Sequence, residues 1–269
     1  MEACAKTPKI MANGFSKKTI DFLIKAHKQT SPTWLDKHKA EHNDLVIQPV
    51  RDLALYLASR LERKPEARGY KFPRRGFGRL RRPKNWVTAG EPAYRDWLHI
   101  QASRPSNSIF DDNPGLYFYL SPESTFAGGG LYNASSRQIK QMRAWIDTDA
   151  KSLDKVLKSK SFKAEFTDGL KTDKILKTFP RLYPPDHKRI EWLRLQAYYV
   201  SRKISRKELY SNECNDIILA NWQQTLRFNE ILYEALSESN RTIAPEKAAT
   251  EEPDETANES ATDLWDDRL

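Results

Sequence analysis

Residues Asn113–Tyr132, NPGLYFYLSPESTFAGGGLY, decide how the rest of the chain is read. Leu116, Phe118 and Leu120 alternate with Tyr117 and Tyr119, the period of two that a strand with unlike faces requires. Ser121-Pro122-Glu123-Ser124 supplies a turn, and a second strand leads into Gly128-Gly129-Gly130. Three consecutive glycines give up side chains where positive φ is needed or where something approaches the backbone closely. Followed by Leu131-Tyr132-Asn133 and a helix from Ser136, they read as a loop whose amides hold a phosphate, or as a tight hairpin exit packed under an aromatic ring.

Helical periodicity surrounds this hairpin. Ser16 caps a helix with Ile20, Leu23, Ile24 and His27 on one stripe. Thr33 caps a second, with Trp34, His38, Glu41 and Leu45, interrupted at Pro49. Val50, Leu53, Leu57 and Leu61 mark a third. After the hairpin, helices are predicted from Ser135 or Ser136 through Ile146, over about 150–157, and over about 215–236. Short strands are predicted at Tyr70–Phe72 and Tyr94–Ala102, and a hairpin over Phe162–Leu176 around Asp168-Gly169. Leu195–Val200 fits helix or strand. The expected fold is α+β: one domain over residues 15–240, with an antiparallel sheet packed by helices from both the N- and C-terminal parts. Residues 1–14 read as a flexible leader and 244–269 as an acidic disordered tail.

Of the 269 residues, 39% are hydrophobic and 30% charged, enough for a sizeable core under a charged surface. No apolar run approaches the roughly 18 residues that cross a membrane, and MEACAKTPKIMANGFSKK has no apolar signal region. Cys4 and Cys214 form no disulfide framework. A cytoplasmic location without membrane association is expected. The net charge of +9 is unevenly divided: nine acids against Lys247 and Arg268 give the segment from Ala244 onward −7, which leaves +16 on residues 1–243. Such a body favours anionic partners.

The basic residues concentrate in one place. Lys71, Arg74, Arg75, Arg79, Arg81, Arg82 and Lys84 interleave with Tyr70, Phe72, Phe77 and Trp86. This suits phosphate contact with base stacking, or strands whose charges face water while their aromatics fill the core. Gly76-Phe77-Gly78 begins like a dinucleotide loop, but Arg81 stands where the third glycine belongs. His38-Lys39-Ala40-Glu41-His42 has the H-x-x-E-H spacing of inverted zinc peptidases. A third ligand is missing downstream, so no metal is expected. His187, beside Arg189 and Arg194, is a candidate acid or base, or a plain helix-end residue.

Several segments together resemble the DUF2461 family of uncharacterised proteins. They are FSKKTIDFLIKAHKQTSPTWLDKHKAEHNDLVIQPV, Tyr94-Arg95, the hairpin with the following SSRQIKQMRAWI, and LYPPDHKRIEWLRLQAYYVSRKIS. The likeness runs in order from Phe15 to Leu236. It implies an α+β fold and attaches no activity. Relatives carry a segment like RFSKDKTPYKT before the hairpin; its counterparts here are Arg79–Pro83 and Ala93–Arg95, separated by an inserted loop.

The leading expectation is a phosphorylated or other anionic ligand in a basic cleft formed by Arg75, Arg79, Tyr94, Arg95, the amides of Gly128, Gly129 and Gly130, and Arg194. The alternatives are sequence-independent nucleic-acid binding by residues 70–86, and an interaction module using the acidic tail with Leu264-Trp265. No cofactor and no reaction are specified by any motif.

Overall fold

The computed structural model describes residues 14–106, 111–170 and 174–242. The expected leader, apart from Gly14, and the expected tail lie outside the described residues. Helix α1 (Lys17–His27) starts at a capping box between Ser16 and Thr19. The next helix is built in pieces: a 3-10 turn at Trp34–His38, α2 (Lys39–His42), and a π-helical turn at Asn43–Ile47. These run directly into α3 (Gln48–Leu61). Pro49 therefore does not break the chain. It sits in the first turn of α3, directly after the π-helical turn, and the helical path runs on through it.

Four strands follow the order β1 (Leu98–Ser103), β2 (Gly115–Leu120), β3 (Thr125–Leu131) and β4 (Tyr198–Lys203), every neighbour antiparallel. The β2–β3 turn closes through the Ser121 amide and the Ser124 carbonyl at 2.8 Å. Between β3 and β4 the chain makes α4 (Ser136–Thr148), α5 (Lys151–Lys158), α6 (Lys160–Glu165) and α7 (Ile190–Leu193). Helix α4 carries the predicted cap at Ser135, in a capping box with Gln138. After β4 come α8 (Arg206–Leu209) and the long α9 (Cys214–Thr242).

Two expectations are corrected. The hairpin over Phe162–Leu176 is instead helix α6 and a turn, because Phe162 and Phe166 stand at helical spacing and pack together, ring centroids 4.8 Å apart. Among the described residues its second half makes one isolated bridge, Ile175 with Leu195. Likewise Tyr70–Phe72 contributes a single bridge, Lys71 with Ser103, rather than a strand.

The fold is thus α+β, an antiparallel sheet packed by helices from both ends of the chain. Leu98, Ile100 and Ala102 of β1 and Leu116, Phe118 and Leu120 of β2 are buried against α1, α3 and α9. A second cluster joins α4, α5, α6 and β4 around Phe162, Phe228 and Leu232. Helix α9 serves both, with Ile218, Trp222 and Leu226 in the first and Phe228, Ile231 and Leu232 in the second. It is also hydrogen-bonded to β2: Trp222 Nε1 donates to the Tyr117 carbonyl at 3.0 Å, and Asn229 Nδ2 to the Gly115 carbonyl at 2.9 Å. The opposite sheet face carries His99, Tyr119, Phe126 and Lys203 in one cross-strand row. No helix among the described residues is long and apolar enough to cross a membrane.

Candidate functional site

The strand order leaves β1 at one edge of the sheet, and the basic segment runs beside that edge. It touches the edge line twice. The Lys71 amide donates to the Ser103 carbonyl at 2.8 Å, and the Arg95 amide donates to the Leu80 carbonyl at 2.7 Å. Tyr70, Phe72 and Leu80 anchor the segment in the core. Between these anchors residues 73–79 bow outward, leaving a cleft of about 280 Å³ against Trp97–Gln101. Arg75 and Arg79 line its outer wall, and Trp97, His99 and Gln101 its inner one.

The bow is pinned at its turn. Gly78 has φ +67°, and a Cβ there would stand 3.0 Å from Val46 and 3.1 Å from Ile47, so glycine lets the turn lie on the π-helical segment. Its carbonyl accepts a 2.8 Å hydrogen bond from His42 Nε2. Burial pushes the His42 pKa below its ordinary value, and the bond to Gly78 opposes that shift only in part.

Charge is distributed unevenly along the bow. Arg74 pairs with Glu62, Arg81 with Asp36 at 3.3 Å, and Arg82 with Glu91 at 3.8 Å. Arg75 and Arg79 have no carboxylate partner among the described residues, and both are exposed. Arg95 does not line the cleft: it is 6% exposed and packs on Trp97, with its guanidinium 4.6 Å from the Trp97 ring centroid and 6.0 Å from that of Trp86. Trp97 continues into a stack with Tyr119 (6.0 Å) and Phe126 (4.7 Å). Tyr119 stacks on both neighbours, so the row packs within itself.

The remaining expected residues are elsewhere. Tyr94 is fully buried; its hydroxyl accepts from the Leu35 amide at 3.0 Å and lies 2.7 Å from the Pro32 carbonyl. That is a structural anchor for the α1–α2 connection. Gly128, Gly129 and Gly130 form no loop. They sit inside β3, in register with β2 and β4 on both sides, so their backbone groups belong to the ladder. A Cβ on Gly129 would stand 2.0 Å from the Gly115 carbonyl oxygen and 2.6 Å from Thr225 Cγ2 of α9, which is why the strand needs glycine where the helix crosses it. Arg194 does not line the cleft; it lies just ahead of β4, which β2 and β3 separate from β1. Its guanidinium donates to the Leu176 carbonyl at 2.9 and 3.1 Å.

The histidine motifs are likewise committed to backbone or neighbours. His38 Nδ1 bonds the Trp34 carbonyl at 2.9 Å, and His42 bonds Gly78. Among the described residues no three His, Cys, Asp or Glu side chains come together to hold a metal. His187 accepts from the Arg189 amide on Nδ1 and approaches Asp147 at 3.1 Å through Nε2. Sequence reasoning did not single out Trp97, His99 and Gln101. Their signal is the alternation with Leu98, Ile100 and Ala102, which sets His99 and Gln101 on one face of β1, with Trp97 just ahead of the strand and stacked on Tyr119.

The sequence model of the family described as Conserved hypothetical protein (DUF2461) matches residues 18–230, so the chain belongs to this family. No curated protein and no solved structure matches it.

Proposed function

We propose that this DUF2461 member binds an anionic ligand, phosphorylated or carboxylated, in the cleft at the outer edge of β1. One observation carries the reading. Arg74, Arg81 and Arg82 each have a carboxylate partner, whereas Arg75 and Arg79, with none among the described residues, both line the same cleft. Two guanidinium groups facing one concave space favour an anion that shares them, through charge-assisted and bidentate hydrogen bonds. Tyr94, Arg194 and the three glycines have no part in this site.

Isothermal titration with pyrophosphate and with citrate, at low and physiological salt, tests it on the full chain. Binding that the Arg75→Ala/Arg79→Ala pair abolishes supports the proposal; binding unchanged by that pair removes it. Nucleic-acid binding by residues 70–86 draws on the same arginines. Burial of Tyr70 and Phe72 leaves this segment mainly phosphate contacts, whose signature is a steep salt dependence.

A further inference from the structure

The segment ahead of β4 leaves apolar side chains in water on an anchored backbone. Of the large hydrophobic side chains exposed among the described residues, half fall within eight positions: Ile175 (41%), Phe179 (46%) and Leu182 (88%). The backbone beneath them is held. The Leu176 amide donates to the Arg194 carbonyl and the Gln196 amide to the Lys174 carbonyl, both at 2.9 Å. Pro180 is buried, and Tyr183 packs on the second core cluster. Exposure grouped on an anchored segment marks a contact surface, whereas scattered exposure needs no explanation. In the same run Lys177, Arg181 and Lys188 are exposed and have no carboxylate partner among the described residues. Asp186 is the single acid between Lys174 and Ile190. Such a surface matches an apolar pair flanked by carboxylates.

This chain carries such a sequence. Beyond α9, outside the described residues, the segment from Ala244 has a net charge of −7, and Leu264-Trp265 stands in it between Asp263 and Asp266-Asp267. We infer that the surface takes this stretch of the same molecule, Leu264 and Trp265 on Phe179 and Leu182, and the aspartates on Lys177, Arg181 and Lys188. Leu264 comes 22 positions after Thr242, the last residue of α9. A chain of that length spans roughly 70 Å when extended, more than the width of a domain of this size. It also starts on the right side, because Leu236 near the end of α9 and Tyr183 pack on the same core cluster. Competing surfaces offer half of the match. The bow of the cleft has cations, but Tyr70 and Phe72 are buried and Phe77 is half-buried. Ile24 of α1 and Leu55 of α3 are single exposed side chains on separate helices.

The test is zero-length carbodiimide cross-linking of the full chain, with the joined peptides mapped by mass spectrometry. Amide links are expected from Asp263, Asp266 or Asp267 to Lys177 or Lys188. Two variants change the apolar half and keep every charge: Leu264→Ser/Trp265→Ser, and Phe179→Ser/Leu182→Ser at positions whose exposure spares the fold. Each is expected to lower the yield of these links about fivefold or more. Mixing isotope-labelled with unlabelled chain separates links within a molecule from links between two. Links spread over the lysines of the body and indifferent to both variants overturn the inference and leave a diffuse attraction of opposite charges. Links only between molecules overturn it in favour of a second copy. Sedimentation with vesicles of phosphatidylserine and phosphatidylcholine that Phe179→Ser/Leu182→Ser abolishes, without any of the expected links, overturns it in favour of a lipid surface.

Discussion

The Nε2 proton of His42 is donated to the carbonyl of Gly78 over 2.8 Å, which ties the helix running into α3 to the wall of the cleft. The imidazole also stacks on Phe22, ring centroids 5.9 Å apart, so the link extends from the cleft wall into the core.

Burial of the same imidazole makes stability depend on pH. The folded pKa of His42 is depressed below its ordinary 6.5 by burial. Above about pH 7 both states are neutral and the full stability is present. As pH falls below the ordinary value, the unfolded chain takes up a proton that the folded chain refuses, and stability is lost until folded His42 itself titrates. Chemical denaturation between about pH 8 and pH 5 should show this decline, and His42→Gln, whose amide can still donate to Gly78, should flatten it. An unchanged slope in the variant would assign the decline to other groups.

Arg75→Ala and Arg79→Ala should leave thermal stability within about 0.5 kcal/mol of the parent, because both side chains are exposed and without carboxylate partners among the described residues. Together they should lower affinity for an anion by at least about tenfold, equivalent to ~1.4 kcal/mol. Arg74→Ala, which removes the partner of Glu62 on the outside of the bow, should not. Equal losses from all three variants would mean a diffuse field instead of a site.

Tyr94→Phe separates support from ligand contact. Losing the hydroxyl leaves the Leu35 amide without its acceptor, at a cost of about 1–3 kcal/mol. Melting temperature should fall, and anion affinity measured well below the melting range should stay. Loss of binding with unchanged stability would return Tyr94 to the site.

Gly129→Ala and Gly76→Ala test the two uses of glycine. A Cβ on Gly129 meets the Gly115 carbonyl and α9, and overpacking of this kind costs about 1–3 kcal/mol or more. Gly76 has φ +79° with nothing within 4 Å of an added Cβ, so only its conformation is penalised, by about 1 kcal/mol. Denaturant midpoints should therefore fall much further for Gly129→Ala. The reverse order would mean that β3 and α9 can separate at little cost.

How much of this was legible depends on how local each cause is. The β2–β3 hairpin, the cap at Ser135 and the stripe of α9 are written in short-range periodicity, and the sequence shows them directly. The glycines of β3 read as a loop because their reason, the crossing of α9 at Thr225, lies about a hundred residues away in the chain. Phe162 and Phe166 fit a strand or a helix by composition, and packing against Phe228 favours the helix. Arg75 and Arg79 were visible as density of charge. What distinguishes them from Arg74, Arg81 and Arg82 is the position of Glu62, Asp36 and Glu91, which only the fold reveals. Tyr94 and Arg194 read as cleft residues for the same reason: their partners are backbone carbonyls and amides of other segments, which the sequence does not show.

The bow of residues 73–79 bears on self-association as well as on ligands. A bare edge strand invites the same strand of a second molecule, the first step of edge-to-edge aggregation. Here the edge is occupied at Ser103 and again at the Arg95–Leu80 contact, which leaves a window too short for a long intermolecular ladder. Two copies meeting window to window would also bring Arg75 and Arg79 of one against those of the other. Like charges in that position repel, so the two arginines also keep the chain from recruiting itself.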